Sequence, residues 1–277
     1  MLYKNSSFRI VSISLIILLV LPCVSSEARR KTAKYRFTAR TAIFADINGR
    51  TLYARNIHSR VPPASTTKIM TALLVLERLS LDQYVTVSSR ATLVQPSKIN
   101  LNPGEQYRVR DLLYALLLNS ANDASIVLAE AVAGSEAKFV ELMNQRAYQL
   151  GARHTKFANS HGLSTAGVSQ HTTAYDMYLI FRQALKYNFF AKTIKDRDKI
   201  IYSKDGRRID LKSHNKILSF NWRTKVYGKT GYTRNAKQCF VGVVQKGGSN
   251  FIIAVFGCTK RWMDIKFIVS RFGGIAL

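Results

Sequence analysis

The residues best placed to do chemistry begin with Ser65-Thr66-Thr67-Lys68. On a helix, positions i and i+3 lie on one face, so Ser65 and Lys68 would stand side by side. Ser65 at the helix start would have the positive end of the helix dipole beside it. Lys68 would lie one turn in, on a segment (IMTALLVL) that is apolar nearly all round and therefore buried on every side. Burial disfavours an ammonium, which makes Lys68 a candidate neutral amine able to take a proton. A serine hydroxyl becomes a nucleophile beside such a base. The same spacing recurs at Ser135-Glu136-Ala137-Lys138 and Ser213-His214-Asn215-Lys216. Ser135 follows Gly134 and reads as an ordinary helix start with exposed charges. Ser213 lies in a basic, weakly patterned stretch. Only Ser65 heads a buried apolar helix.

Two further motifs carry polar groups. Ser120-Ala121-Asn122 stands at the junction of two helical patterns. A hydroxyl and an amide two residues apart in a turn can point into one cleft, or can simply cap the junction. The spacing is also met at Ser213/Asn215 and Ser219/Asn221. Lys229-Thr230-Gly231, within GKTGYT, is the sharpest of the three. On a strand, Lys229 and Gly231 share a face. Gly231 lets a ligand approach the backbone, Lys229 offers a cation to a carboxylate, and Thr230 offers a hydroxyl. A phosphate loop would need a glycine where Arg223 stands, so GKT here is not one.

The elements that must position these groups follow from pattern. Thr41 to Asp46 and Thr51 to Ala54 flank an Asn48-Gly49 turn, a strong hairpin signal. Pro62-Pro63-Ala64 introduces a helix from about Ser65 to Arg78. Residues 80–110 read as short strands and loops. Helical patterns follow at about 111–119, 124–133, 135–150 and 173–187, with Gly134 and Gly151 as stops and Asp123 as the cap of the second. Val226 to Thr233 is a strand. Gln238 to Gln245 and Asn250 to Gly257 form a hairpin around Lys246-Gly247-Gly248-Ser249, and 261–272 a last helix. The order strands, helices, strands predicts an α+β fold. Its antiparallel sheet is built from both chain ends and packed on helices, with a helical second lobe over about 80–200.

The chain has 277 residues, 47% of them hydrophobic, enough for a substantial core. Its first 26 residues read as a signal peptide: Lys4 and Arg9, an apolar run over 10–24, then small residues before Glu27. A basic lead-in (27–36) and one catalytic domain (37–277) follow. Without Lys4 and Arg9 the formal charge falls from +26 to +24. Outside the cytoplasm, such a surface would meet anionic lipid head groups or wall polymers and not nucleic acid; a solvated surface with no partner is equally consistent. Three cysteines make no disulfide framework. Cys23 leaves with the signal. Cys239 and Cys258 would face each other if the hairpin turns at about Gly248, which leaves a disulfide and two free buried thiols both open. No histidine stands at metal-ligand spacing, so neither metal nor cofactor is expected.

The ordered set Ser65-x-x-Lys68, Ser120-x-Asn122 and Lys229-Thr230-Gly231 resembles that of the penicillin-binding proteins and serine β-lactamases. VPPASTTKIMTALLVLE, LLYALLLNSANDAS, FANSHGLS and GKTGYT are similar, in order, to the low-molecular-mass D-alanyl-D-alanine carboxypeptidases (peptidase S11). That resemblance implies the penicillin-binding-protein/β-lactamase-like fold, peptidoglycan stem peptides as substrate and β-lactams as covalent inhibitors. It implies that Ser65 attacks the carbonyl between two D-alanines with Lys68 as base. Ser120 would carry the proton to the leaving amine and Asn122 hold the substrate backbone. Lys229, Thr230 and Gly231 would line the terminal-carboxylate site. The N–H groups of Ser65 and Tyr232 would form the oxyanion hole.

Ala121 stands where the family often has glycine, a small change. The chain ends at Leu277, which resembles the shorter members that lack an extra C-terminal β domain and anchor helix; some of those are D,D-endopeptidases. An arginine expected on the last strand as carboxylate partner is missing, which leaves Lys260 or Arg261 to substitute. A serine β-lactamase would need a deacylating glutamate in a Glu-x-x-Leu-Asn loop. The nearest match, Glu141-Leu142-Met143-Asn144, falls in a helical pattern. A non-catalytic basic wall-binding module would account for the charge but not for three intact motifs in order.

Overall fold

The computed structural model describes Met1, residues 35–164 and residues 168–277. The signal peptide read over 1–26 and most of the lead-in lie outside the described residues. Everything below concerns Arg36–Leu277.

The chain opens with strands β1 (Thr41–Asp46) and β2 (Thr51–Arg55). A turn of 3₁₀ helix (Ala64–Thr67) leads into α1 (Lys68–Arg78). Next come β3 (Tyr84–Thr86), α2 (Ser89–Thr92), β4 (Gln106–Arg108), α3 (Val109–Leu118), α4 (Asn122–Ala133) and α5 (Glu136–Gln149). They are followed by α6 (Ala174–Ala184), α7 (Asn188–Thr193), β5 (Asp198–Tyr202) and β6 (Arg208–Lys212). The chain closes with β7 (Val226–Thr233), β8 (Lys237–Lys246), β9 (Ser249–Cys258) and α8 (Arg261–Gly273).

The main sheet is antiparallel with strand order β2-β1-β9-β8-β7, so the two chain ends do build one sheet. Its seam pairs Ile43 with Ala254. The β8–β9 turn is Gly247-Gly248, with φ of +55° and +75°, between paired Lys246 and Ser249. Two consecutive positive φ values suit a two-residue hairpin loop, and glycine adopts them without a Cβ penalty. The middles of β8 and β9 are buried on both faces, which explains their continuous apolar runs. Ile265, Ile268 and Val269 of α8 cover one face with Phe240, Ile253 and Val255. The other face, through Ile43, Val241, Ile252 and Ala254, joins the helical core. In that core α1 is buried from Lys68 to Val75 and packs against α3, α4, α5 and α6.

Four sequence expectations are corrected. Asp123 does not cap α4, whose N-cap is Ala121; its buried carboxylate accepts from the backbone N–H of Ile99, Leu101 and Ala124. Ser135 does cap α5, accepting from Lys138 N, but Glu136 is buried rather than an exposed charge. The cysteines do not face each other. A bulge between Gln238 and Phe240 sets Gln238 opposite Cys258, and the two thiols point to opposite faces of the sheet, both free and buried. The stretch before Ser213 is an ordered hairpin, β5–β6, turning at Asp205-Gly206 with Gly206 at φ +89°.

Candidate active site

Ser65 is half-buried in the 3₁₀ turn that α1 continues. Lys68, the first residue of α1, is fully buried. Its Nζ lies 2.7 Å from Asn122 Oδ1, 2.8 Å from the His161 carbonyl and 3.4 Å from Ser65 Oγ. A neutral amine has two N–H donors and one lone pair. The two carbonyl oxygens take the donors, and the lone pair is left for the Ser65 hydroxyl. Burial pushes the Lys68 pKa well below its ordinary value, and the nearby Lys229 lowers it further; Asp123 opposes the shift. Both effects favour the neutral amine at the residue inferred to be the base.

The floor under Lys68 is the 159–163 segment. Asn159 Oδ1 accepts from the N–H groups of His161 and Gly162 at 3.3 and 2.6 Å. The Ser160 carbonyl accepts from Thr71 Oγ1 and Ser125 Oγ at 2.6 and 2.7 Å. Glu136 in turn accepts from Ser160 N and Oγ at 3.0 and 2.7 Å. Gly162 (φ +91°) presses against the Ala64 carbonyl so closely that a Cβ there would overlap it. His161 contributes its backbone; burial and Lys68 push its imidazole pKa down to about 4, against Glu136.

The second pair faces the first. Ser120 sits between α3 and α4 at φ +58°, a left-handed conformation that a serine holds only when its surroundings fix it. Lys229 Nζ lies 2.9 Å from Ser120 Oγ and 3.2 Å from the Thr230 carbonyl. Burial, with Arg261 nearby, pushes the Lys229 pKa down to about 7. β7 is the edge of the sheet and lies against the Ser65 turn. A Cβ on Gly231 would be 3.2 Å from both Ser65 N and Ala64 Cβ, so glycine allows that approach.

A cleft of about 280 Å³ opens here, lined by Ser65, Ser97, Ser120, His214, Thr230, Gly231, Tyr232 and Arg261. The sequence-predicted residues converge on this cleft, some lining it and some buried behind it. Asn122 is buried behind the cleft; its Oδ1 holds Lys68 and its Nδ2 donates to the Gln95 carbonyl at 2.7 Å. Both ends of its amide are thus engaged inside the protein, and it is not among the residues lining the cleft. Lys229 is also buried, with its Nζ against Ser120 Oγ. Tyr232 is largely exposed and lines the cleft. Of the two carboxylate candidates, Lys260 is exposed at the start of α8, whereas Arg261 lines the cleft. Arg261 Nη1 donates to the carbonyls of Cys239 (2.8 Å) and Gly231 (3.2 Å), and its guanidinium stacks on Trp262.

Ser97 and His214 escaped sequence reasoning. The Ser97 carbonyl accepts from Asn122 N at 2.8 Å, on the loop that Asp123 secures. His214 is held by its N–H to the Leu118 carbonyl, and its neighbour Asn215 donates to the Gly228 carbonyl at 3.0 Å. Burial and the two lysines lower the His214 pKa. Neither residue belongs to a motif; the Asp205-Gly206 hairpin signal was the available clue to the ordered segment that places His214.

Two serine–lysine pairs across one cleft, between a sheet edge and a helical lobe, define a serine acyl-transfer hydrolase of the penicillin-binding-protein fold. The peptidase S11 family profile, described as D-alanyl-D-alanine carboxypeptidase, matches residues 27–260. The chain belongs to that family. It is 34% identical to the D-alanyl-D-alanine carboxypeptidase DacF of Bacillus subtilis over 83% of its length, spanning 60% of that relative. It is also 34% identical to DacB2 of Mycobacterium tuberculosis, covering 80% of this chain and 76% of that one. A crystal structure of D-alanyl-D-alanine carboxypeptidase from Mycobacterium tuberculosis superposes with a TM-score of 0.80 at 32% identity, covering 87% and 92% of the two chains. A Pseudomonas aeruginosa relative, 30% identical over 73% of this chain and covered over 65% of its own, is named D-alanyl-D-alanine endopeptidase.

Proposed function

We propose that the chain is an exported serine-type D-Ala-D-Ala carboxypeptidase that trims peptidoglycan stem peptides and is acylated by β-lactams. The observation that carries this reading is the convergence of two buried lysines, each against one serine hydroxyl, on one cleft. Lys68 takes the proton as Ser65 Oγ attacks the penultimate D-alanine carbonyl. The N–H groups of Ser65 and Tyr232 receive the oxyanion; β7 passes so close to Ser65 that a Cβ added to Gly231 would lie 3.2 Å from Ser65 N, which supports that placement. Thr230 and Arg261 hold the terminal carboxylate. Ser120, polarised by Lys229, gives the leaving amine its proton. Water then releases the acyl group from Ser65.

The β-lactamase alternative finds no support at Glu141-Leu142-Met143-Asn144. Those residues lie inside α5, and Asn144 exchanges hydrogen bonds with the Phe157 backbone at 2.8 and 3.0 Å. A D,D-endopeptidase would use the same catalytic groups, and the name of the Pseudomonas relative favours keeping it as the second reading. The 1–26 leader supports export to the periplasm or wall, and the basic surface supports weak contact with anionic membrane or wall polymer.

The test is labelling with a fluorescent penicillin beside Ser65→Ala, read by intact mass. A lasting adduct on the wild type and none on the variant is expected. Rapid drug hydrolysis, or no adduct at all, refutes the reading. Comparing a pentapeptide with a cross-linked dimer then separates the two peptidase readings.

A further inference from the structure

Ser160, in the floor under Lys68, is fully buried, and its N–H, hydroxyl and carbonyl are all engaged. The carbonyl accepts from Thr71 Oγ1 on α1 and from Ser125 Oγ on α4, at 2.6 and 2.7 Å. These two residues follow Lys68 and Asn122 by one helical turn on the same helices. The N–H and the hydroxyl both donate to one oxygen, Glu136 Oε1 on α5, at 3.0 and 2.7 Å. Ser160 is thus clamped between α5 on one side of the bonding and the α1–α4 pair on the other. The peptide unit that follows carries the consequence. In a trans peptide the N–H and the C=O are opposed. The Gly162 N–H donates to Asn159 Oδ1 at 2.6 Å, and the His161 carbonyl of the same unit accepts from Lys68 Nζ at 2.8 Å.

Other partners do not account for the burial of Glu136, which is 8% exposed. Arg90 Nη2 lies 3.5 Å from its Oε2, but the arginine side chain is 64% exposed, and such a pair adds little. The His161 imidazole is 3.8 Å from Oε1; burial and Lys68 push its pKa down to about 4, so near neutral pH it is uncharged and makes no ion pair. Glu136 is also the first residue of α5, where the helix dipole favours any acid. An aspartate would satisfy the dipole equally well. It would be shorter by one carbon–carbon bond, about 1.5 Å, and could not reach Ser160 in the same way. The bonds that require a glutamate here are the two charge-assisted ones from Ser160. Without them, two buried donors lose their acceptor.

We propose that Glu136 is a positioning residue for the base: through Ser160 it fixes the 160–162 backbone, so that the His161 carbonyl keeps Lys68 aimed at Ser65. The inference rests on the reading of Ser65 and Lys68 as nucleophile and base. Its test is stopped-flow acylation by a fluorescent penicillin, run well below the Tm of each protein, with the limiting rate k2 separated from the Kd of the drug. Glu136→Asp and Glu136→Ala both withdraw the acceptor from Ser160. A shift near 1 Å between base and nucleophile should lower k2 about 100-fold. The Kd should not change, since neither Glu136 nor Ser160 is among the described residues lining the cleft. Glu136→Gln keeps an oxygen at the same reach and should keep most of k2. A role confined to the helix dipole predicts the opposite order, with Glu136→Asp intact and Glu136→Gln impaired. Thermal melting checks folding; if Glu136→Ala melts early, Glu136→Asp against Glu136→Gln gives the same comparison. An unchanged k2 in Glu136→Asp, a loss in Glu136→Gln as large as in Glu136→Asp, or a loss confined to Kd overturns the proposal. A wild type that penicillin does not acylate would count against the serine-peptidase reading instead. The Lys68 Nζ to His161 carbonyl distance in a crystal structure of Glu136→Asp then decides the inference, which fails if that distance stays at 2.8 Å.

Discussion

Gly162 is where the floor of the site meets the nucleophile, and replacing it tests both. At φ +91° an alanine is strained whatever the space, at about 1–2 kcal/mol. Its Cβ would also overlap the Ala64 carbonyl and lie 2.8 Å from Thr67 Oγ1. The first of these is backbone and cannot rotate away, so overpacking adds about 1–3 kcal/mol. Gly162→Ala should therefore lose roughly 3 kcal/mol, a Tm fall of about 6–12 °C for a domain of this size. The shift must be shared by Ala64, which precedes Ser65, and by His161, whose carbonyl holds Lys68. A displacement near 1 Å between nucleophile and base lowers acylation about 100-fold. Stopped-flow acylation by a fluorescent penicillin, run well below the Tm, reads this directly. Gly151→Ala is the control: φ is again positive at +82°, but its Cβ meets only Leu179 Cδ1 at 3.7 Å. It should lose about 1–2 kcal/mol with no change in acylation. If Gly162→Ala matches Gly151→Ala in both readouts, the close approach at Ala64 does not set the nucleophile's position.

Lys229 sets the pH behaviour. Its folded pKa, about 7, is below the ordinary 10.5, so the folded state releases the proton first. Its burial is most destabilising below pH 7, and that cost fades as pH rises from about 7 to 10.5. Wild type minus Lys229→Met in unfolding free energy should therefore rise with pH across that window; a flat difference would refute the depressed pKa. In the free enzyme, kcat/KM for a carboxylate-bearing peptide should fall as pH passes about 7 and Lys229 loses its charge. Asp123→Ala would leave the N–H groups of Ile99, Leu101 and Ala124 without their acceptor and should cost at least about 3 kcal/mol in urea unfolding, with Asp123→Asn losing less. A loss under about 1 kcal/mol would show that the carboxylate does not secure the loop.

Much of this site was legible because its chemistry demands rare combinations. A lysine in an all-apolar helix has few roles, and Ser65-x-x-Lys68 stood out from its two copies on that ground. The sheet was legible because glycine turns and apolar runs mark β1, β2, β8 and β9 locally. What stayed hidden depends on distant partners. Asp123 read as a cap because a cap is a local rule, yet its acceptors serve a loop more than twenty residues away. Glu136 read as surface charge, yet Ser160 comes to it across the core. The cysteine register failed by one bulge, since a single extra residue turns a side chain to the other face. Asn122 was found, but its engagement with Lys68 and Gln95 is a property of the fold and not of the motif.

The three motifs work as one electrostatic series. Arg261 lowers the proton affinity of Lys229, and Lys229 lowers that of Lys68. Burial is the largest cause at both lysines, and it brings Lys229 to about 7. An anionic C-terminus beside Thr230 and Arg261 favours the charged form of Lys229. A charge fixed on Lys229 lowers the proton affinity of Lys68, the sense that the proposed role of Lys68 as base requires. On the proposed function, binding the end of the substrate and readying the base would be linked through two buried amines. Lys229 does not itself line the cleft, but it lies 2.9 Å from Ser120 Oγ and acts on Lys68 through its charge.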